Sequence, residues 1–166
     1  ILYHIMFSQI YSYLFDSITS YSVNNYTNFY YLTLIRKDEN SPWSIHGLWP
    51  QTSLNSYPTF CKNVVFDVSK LDPIISKLNE YWYSDEEPNE AFWKHEWEKH
   101  GSCMYNDCDE FEYFNKAIEL YESIIKNDPI INKFLKTKTE SMIPYDRDFN
   151  LISNENYTRV VSDCGR

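Results

Sequence analysis

The stretch Phe92-Trp93-Lys94-His95-Glu96-Trp97-Glu98-Lys99-His100-Gly101-Ser102-Cys103 concentrates the chemically capable residues of this chain. At about 100° per residue it reads as a helix that starts at Pro88-Asn89-Glu90 and runs to about His100, where Gly101 stops it. Glu96 and His100 then share a face, His95 and Lys99 form a parallel pair on the next stripe, and Trp93 with Trp97 makes an apolar stripe that can anchor the helix in a core. Such a surface suits an anionic group that gains charge during reaction. Lysine supplies fixed positive charge, histidine donates or accepts a proton, and glutamate orients or tunes a histidine.

Two other readings compete. His-Glu opens the zinc-protease helix motif, but that motif needs a second histidine at i+4, where this chain has Lys99. His100 stands at i+5, about 140° round the helix, and a cation at Lys99 repels a metal. A solvated charged helix face is the blander alternative. It leaves unexplained a second element with the same character, Ser44-Ile45-His46-Gly47-Leu48-Trp49-Pro50. Three of the four His fall in these two stretches. In the second, Gly47 hints at close backbone approach. Trp49 could stack on a base or a sugar, or fill the core.

Working outward, Phe29 to Ile35 is aromatic and β-branched enough for a buried strand, and Trp43 to Leu48 reads as a second, closed by Trp49-Pro50. Val64 to Tyr83 carries a helical stripe of Leu71, Ile74, Ile75, Leu78 and Trp82, with Pro73 near its first turn. A long amphipathic helix follows Asp109, and Asp128-Pro129 starts a shorter one. Phe149 to Ile152 and Tyr157 to Val161 read as late strands. Strand, helices, strand is the order of an α+β domain, an antiparallel sheet flanked by helices.

The chain has 166 residues with 15 basic and 24 acidic side chains, a net charge of −9. That length fits one domain, and 43% apolar residues can fill its core. No run of about 18 apolar residues suggests a membrane span. The acidity excludes a protein that grips nucleic acid through a broad basic surface. Cys61, Cys103, Cys108 and Cys164 contain no Cys-x-x-Cys pair and fit either two disulfides or some free buried thiols. The sequons at Asn25 and Asn156 lean towards secretion and are glycosylation candidates. Residues 1–27 read as a leading segment, either a signal-peptide remnant or an extra strand, ahead of a single domain at 28–166.

Ile45-His46-Gly47-Leu48-Trp49-Pro50 resembles the first active-site segment of the ribonuclease T2 family, and His95-Glu96-Trp97-x-Lys99-His100-Gly101-x-Cys103 resembles its second. Both are ungapped and in the expected order. The resemblance implies an α+β fold and metal-free, cofactor-free cleavage of single-stranded RNA through a 2′,3′-cyclic phosphate, with broad base preference. By motif position, His100 is the expected base, His46 the acid, and Glu96 and Lys99 the stabilisers of the transition state. His95 is expected to hold phosphate, and Trp49 and Tyr57 to stack a base. DNA, lacking the 2′-hydroxyl, is not expected to be cleaved. Cys61 and Cys103 resemble the family's linked pair. Family members commonly carry another cysteine before the first segment and this chain has none, so Cys108 and Cys164 either pair with each other or stay free. The expected protein is a monomer, secreted or in a lysosome-like compartment. Its alternative is an inactive relative serving as an RNA-binding or cell-surface interaction module.

Overall fold

A computed structural model of the chain describes residues 27–153. The strand β1 (Phe29–Ile35) lies between β2 (Ser44–Gln51) and β4 (Glu140–Tyr145), and among the described residues β3 (Leu135–Thr137) pairs with β4 alone. The order is β2-β1-β4-β3, antiparallel throughout. β1 reads as continuously apolar because it is covered on both faces. Tyr30, Leu32 and Leu34 enter the main core, whereas Phe29 and Tyr31 pack with Ile152 on the other side. β2 runs on through Trp49-Pro50 to Gln51, past the end expected from sequence. As an edge strand with one neighbour it tolerates a proline's missing N–H.

The Val64–Tyr83 stretch divides. A 3-10 segment spans Val68–Ile74 with Pro73 inside it, and α1 covers only Ile75–Tyr81. A residue without an N–H cannot feed an α-helical ladder, so the regular helix begins after it. Next come α2 (Asn89–Lys99), a 3-10 turn at Gly101–Cys103, α3 (Glu110–Ile124) and α4 (Asp128–Lys133). A reciprocal capping box starts α3: Glu112 N–H donates to the Asp109 carboxylate and Asp109 N–H to that of Glu112, each at 2.9 Å. Phe149–Ile152 forms no strand. Leu151 makes one isolated bridge to Tyr145, and the Ile152 N–H donates to the Pro144 carbonyl at 3.0 Å. Tyr157–Val161, Asn25, Asn156 and Cys164 lie outside the described residues.

Side chains from the helical layer cap the outer edge of β2. Trp82 Nε1 donates to the His46 carbonyl (3.1 Å), Tyr113 Oη to that of Leu48 (3.0 Å) and Tyr121 Oη to that of Trp43 (2.6 Å). Trp93 Nε1 in turn donates to the Trp82 carbonyl (2.6 Å). These donors satisfy acceptors that an uncovered edge would present to another strand, and they lock β2 against α1 and α3.

A disulfide joins Cys61 to Cys103 across 42 residues. Beside it, Phe60 N–H donates to the Lys99 carbonyl and Cys61 N–H to Ser102 Oγ, both at 3.0 Å. The loop after β2 is thereby fastened to the C-terminal end of α2. Cys108 forms no disulfide with any described residue. Replacing Cys61 and Cys103 together by alanine is expected to lower unfolding free energy by about 4 kcal/mol, the loop-closure entropy of a bridge this wide. Urea denaturation measures it. A loss below about 1 kcal/mol would mean that the two hydrogen bonds alone hold the loop.

Candidate active site

Thr33 pairs with Gly47 and Leu34 with Ile45, so His46 is an extra residue on β2, a β-bulge. In a regular strand, residues three apart face opposite sides. Ile45 and Leu48 are three apart and both fully buried in the same core. The bulge absorbs the mismatch. On the opposite side it brings His46 and Trp49 together, ring centroids 4.9 Å apart and edge-on.

Glu96 and His100 project from α2 towards that side, each nearly buried at 2% and 3% exposure. Trp49 Nε1 donates to Glu96 Oε2 at 2.9 Å, and the Trp49 ring stacks on His100 with centroids 5.3 Å apart. Gly47 makes this approach feasible, because a Cβ there would collide with the Trp49 indole nitrogen and the Glu96 carboxylate. Gly101 also serves by size. A Cβ would enter the Trp97 ring, and its backbone is not left-handed, so it does not end α2 in the way its position suggested. Trp93 and Trp97 are both buried, the anchoring stripe read from sequence. Tyr57, exposed on the fastened loop, has its ring 6.1 Å from that of His100.

Burial dominates the electrostatics. It pushes Glu96 up to about 7, against the opposing pull of the Trp49 hydrogen bond and the Lys99 ammonium. It pushes His100 down to about 3, helped by the positive charges of Lys99, His95 and His46. His46 is lowered by burial and then by Lys99 and His95. The Nδ1 atoms of both His46 and His100 are buried and have no hydrogen-bond partner among the described residues. Near neutrality, burial therefore leaves the His46 and His100 imidazoles neutral and lets the Glu96 carboxyl keep a proton far above the ordinary carboxylate range.

A cleft of about 770 Å³ exposes His46, Trp49, His95, Glu96, Lys99 and His100 together. Arg36 and Lys37 also line it, as do Asp85, Glu86 and Glu87. A second cavity of about 270 Å³ shares Trp49, Lys99 and His100 with it and contains Tyr57, Gln51, Lys136 and Met142. Every site residue expected from sequence is thus gathered at these two adjoining spaces. Others carried no such signal. Glu140 Oε1 lies 3.9 Å from His46 Nδ1, and Phe92 has its ring 6.0 Å from that of His46. Glu140 and Lys136 come from β4 and β3, and only the strand pairing brings them near. Among the described residues, no group of three or more His, Cys, Asp or Glu side chains converges on a metal position. No helix among them is long and apolar enough to cross a membrane.

Ribonuclease DdI of Dictyostelium discoideum is 41% identical over 91 residues, covering 54% of this chain and 41% of that protein. Ribonuclease 1 of Arabidopsis thaliana is 39% identical over 82 residues, covering 47% and 36%. The chain spans less than half the length of these curated relatives. Among solved structures, a mutant of ribonuclease MC1 in complex with 5′-GMP superposes with a TM-score of 0.63 at 20% identity, over 75% of this chain and 92% of that one. Ribonuclease MC1 from the seeds of bitter gourd gives 0.61 at 22%, over 74% and 91%. These likenesses establish the α+β fold. The sequence model of the ribonuclease T2 family matches residues 9–152, starting inside the segment set apart as 1–27. On that match, the chain belongs to the ribonuclease T2 family.

Proposed function

We propose that the domain at 28–166 is an endoribonuclease that cleaves single-stranded RNA by transesterification, without a metal or other cofactor. The observation that carries this reading is the pair of imidazoles flanking one indole, His46 edge-on and His100 stacked, with the Lys99 ammonium in the same cleft. His100 takes the proton of the 2′-hydroxyl, whose oxygen attacks the adjacent phosphorus. The bond from phosphorus to the 5′-oxygen breaks, and His46 gives that oxygen its proton, leaving a 2′,3′-cyclic phosphate. With Nδ1 buried in both rings, Nε2 is the nitrogen left for substrate. Lys99 offsets charge on the phosphate oxygens, and protonated Glu96 donates a hydrogen bond to one of them. His95 steadies the phosphate, and Trp49 with Tyr57 stacks the base on the 5′ side of the cut. Broad base preference follows from stacking, which every base can satisfy. DNA is not cleaved, for want of the nucleophile. The disulfide suits a secreted or lysosome-like location, and one relative in the family is an extracellular ribonuclease of Solanum lycopersicum. The protein acts as a monomer.

The shifts set the pH dependence. His100 must be neutral to accept a proton and is so above about 3. His46 must be protonated to donate, and its lowered value empties it of protons below the ordinary 6.5. Activity on homopolymeric RNA should therefore peak at acidic pH and fall before neutrality. A maximum above pH 8, or activity removed by EDTA and restored by zinc, would overturn the mechanism. His46→Ala and His100→Ala should each cut kcat at least about a hundredfold with folding intact. RNA bound without any cyclic-phosphate product would instead favour the non-catalytic module.

Glu96→Gln separates chemistry from stability. Glu96 is raised from 4.5 to about 7, so the unfolded chain loses this proton more readily, and ionisation opposes folding as pH rises through that interval. Glutamine keeps an acceptor for Trp49 and has no proton to lose. The variant should melt above the wild type at pH 8 and level with it at pH 4, while its activity falls. An equal melting difference at both pH values would refute the buried-acid account.

A further inference from the structure

Lysines in this acidic chain are mostly neutralised. Lys62, Lys70, Lys77, Lys94, Lys116 and Lys138 each lie against a carboxylate. Lys136 does not: among the described residues no ion pair includes it, and its side chain is exposed on β3. It borders the smaller cavity, which among the described residues no Asp or Glu lines and to which Lys99 and Lys136 contribute ammonium groups. The larger cleft differs. Its lining includes Asp85, Glu86 and Glu87 as well as Arg36 and Lys37. Arg36 is already committed, with its guanidinium donating to the carbonyls of Lys138 and Glu39 and lying over the Trp43 ring. The charge is unevenly spread: the charged lining of the smaller cavity is Lys99 and Lys136, whereas the larger cleft carries both signs.

A polyribonucleotide crossing this site places its scissile phosphate near Lys99 and the base of the attacking nucleotide on Trp49 and Tyr57. The phosphate one step upstream then falls beyond that base, on the side of Lys136. The phosphate one step downstream falls in the larger cleft, whose lining includes Asp85, Glu86 and Glu87. We infer that Lys136 forms a binding subsite for the phosphodiester on the 5′ side of the cleaved nucleotide, so that the enzyme anchors RNA from the upstream side only. This rests on the endoribonuclease reading and adds to it a direction.

The test compares a dinucleoside monophosphate with its 5′-phosphorylated and 3′-phosphorylated forms, in the uridine and adenosine series. The 5′-phosphate is expected to raise kcat/KM about threefold to fivefold, the range of one exposed charge pair, and the 3′-phosphate to give no gain. Lys136→Ala should bring the ratio of 5′-phosphorylated to plain substrate to unity and lower the salt slope on longer RNA by about 0.7. Lys116→Ala, with the same loss of charge at a remote ion pair, should preserve both. A gain that survives Lys136→Ala, or an equal gain from the 3′-phosphate, overturns the inference while leaving the ribonuclease reading intact. Calorimetric binding of the 5′-phosphorylated 2′-deoxy dinucleotides, which cannot react, gives the complementary arm. If the protein cleaves no RNA yet loses affinity for these on Lys136→Ala alone, the subsite stands and the ribonuclease reading falls. If their affinity is unchanged by Lys136→Ala, the subsite falls on binding grounds.

Discussion

The hydrogen bond from the Trp49 indole to the Glu96 carboxylate joins the two halves of this protein's chemistry. It runs from an edge strand to a helix, between residues 47 positions apart in the chain, and it is partly buried beside the cleft. Each partner depends on it. The carboxyl sits where burial penalises its charged form, and the indole N–H donates to it. A buried polar group without a partner costs about 1–3 kcal/mol, so the bond fixes the distance between β2 and α2 more firmly than apolar packing would. Around it, the constraints converge. Gly47 has no side chain because the bond occupies the space. His100 stacks on the same indole, and the fastened loop brings Tyr57 to His100 from the other side.

Charge in this molecule is arranged by subtraction. Most lysines are paired on the surface, while burial and then the ammonium of Lys99 disfavour the charged forms of His46 and His100. A chain of net charge −9 can therefore present a locally favourable place for a phosphate without a basic surface. On the proposed ribonuclease reading, the sparing use of positive charge suits an enzyme that must release its product. Binding the ground state tightly would slow turnover without lowering the barrier.

How much of this could be read from the chain depended on the range of the cause. The faces of α2 are local: helical spacing alone separates Trp93 and Trp97 from Glu96 and His100, and the structure keeps that division. The capping box at Asp109 and Glu112 is local too. β4 was harder to see, because Met142-Ile143-Pro144 contains a proline and only its pairing with β1 marks it as a strand. Glu140 and Lys136 gave no sign, since nothing near them in the chain marks them as neighbours of His46 or Trp49. The division of the Val64–Tyr83 helix was signalled by Pro73, whose effect reaches further than its expected place in a first turn. The role of Gly101 was misread for a physical reason. Both explanations of a glycine after a helix, backbone freedom and lack of bulk, predict the same residue, and only the neighbouring Trp97 ring distinguishes them.

The bulge at His46 gives β2 something like a vernier. Upstream of it, the core residue is Ile45; downstream, it is Leu48; the two halves of the strand are offset by one position relative to the face they cover. A one-residue deletion there would restore a regular strand, yet it would turn either the core set or the His46–Trp49 set to the wrong side. Length in this segment is consequently as constrained as residue type. The spacing between the histidine and the tryptophan is a structural quantity in its own right, one that substitution tolerance measured position by position would never reveal.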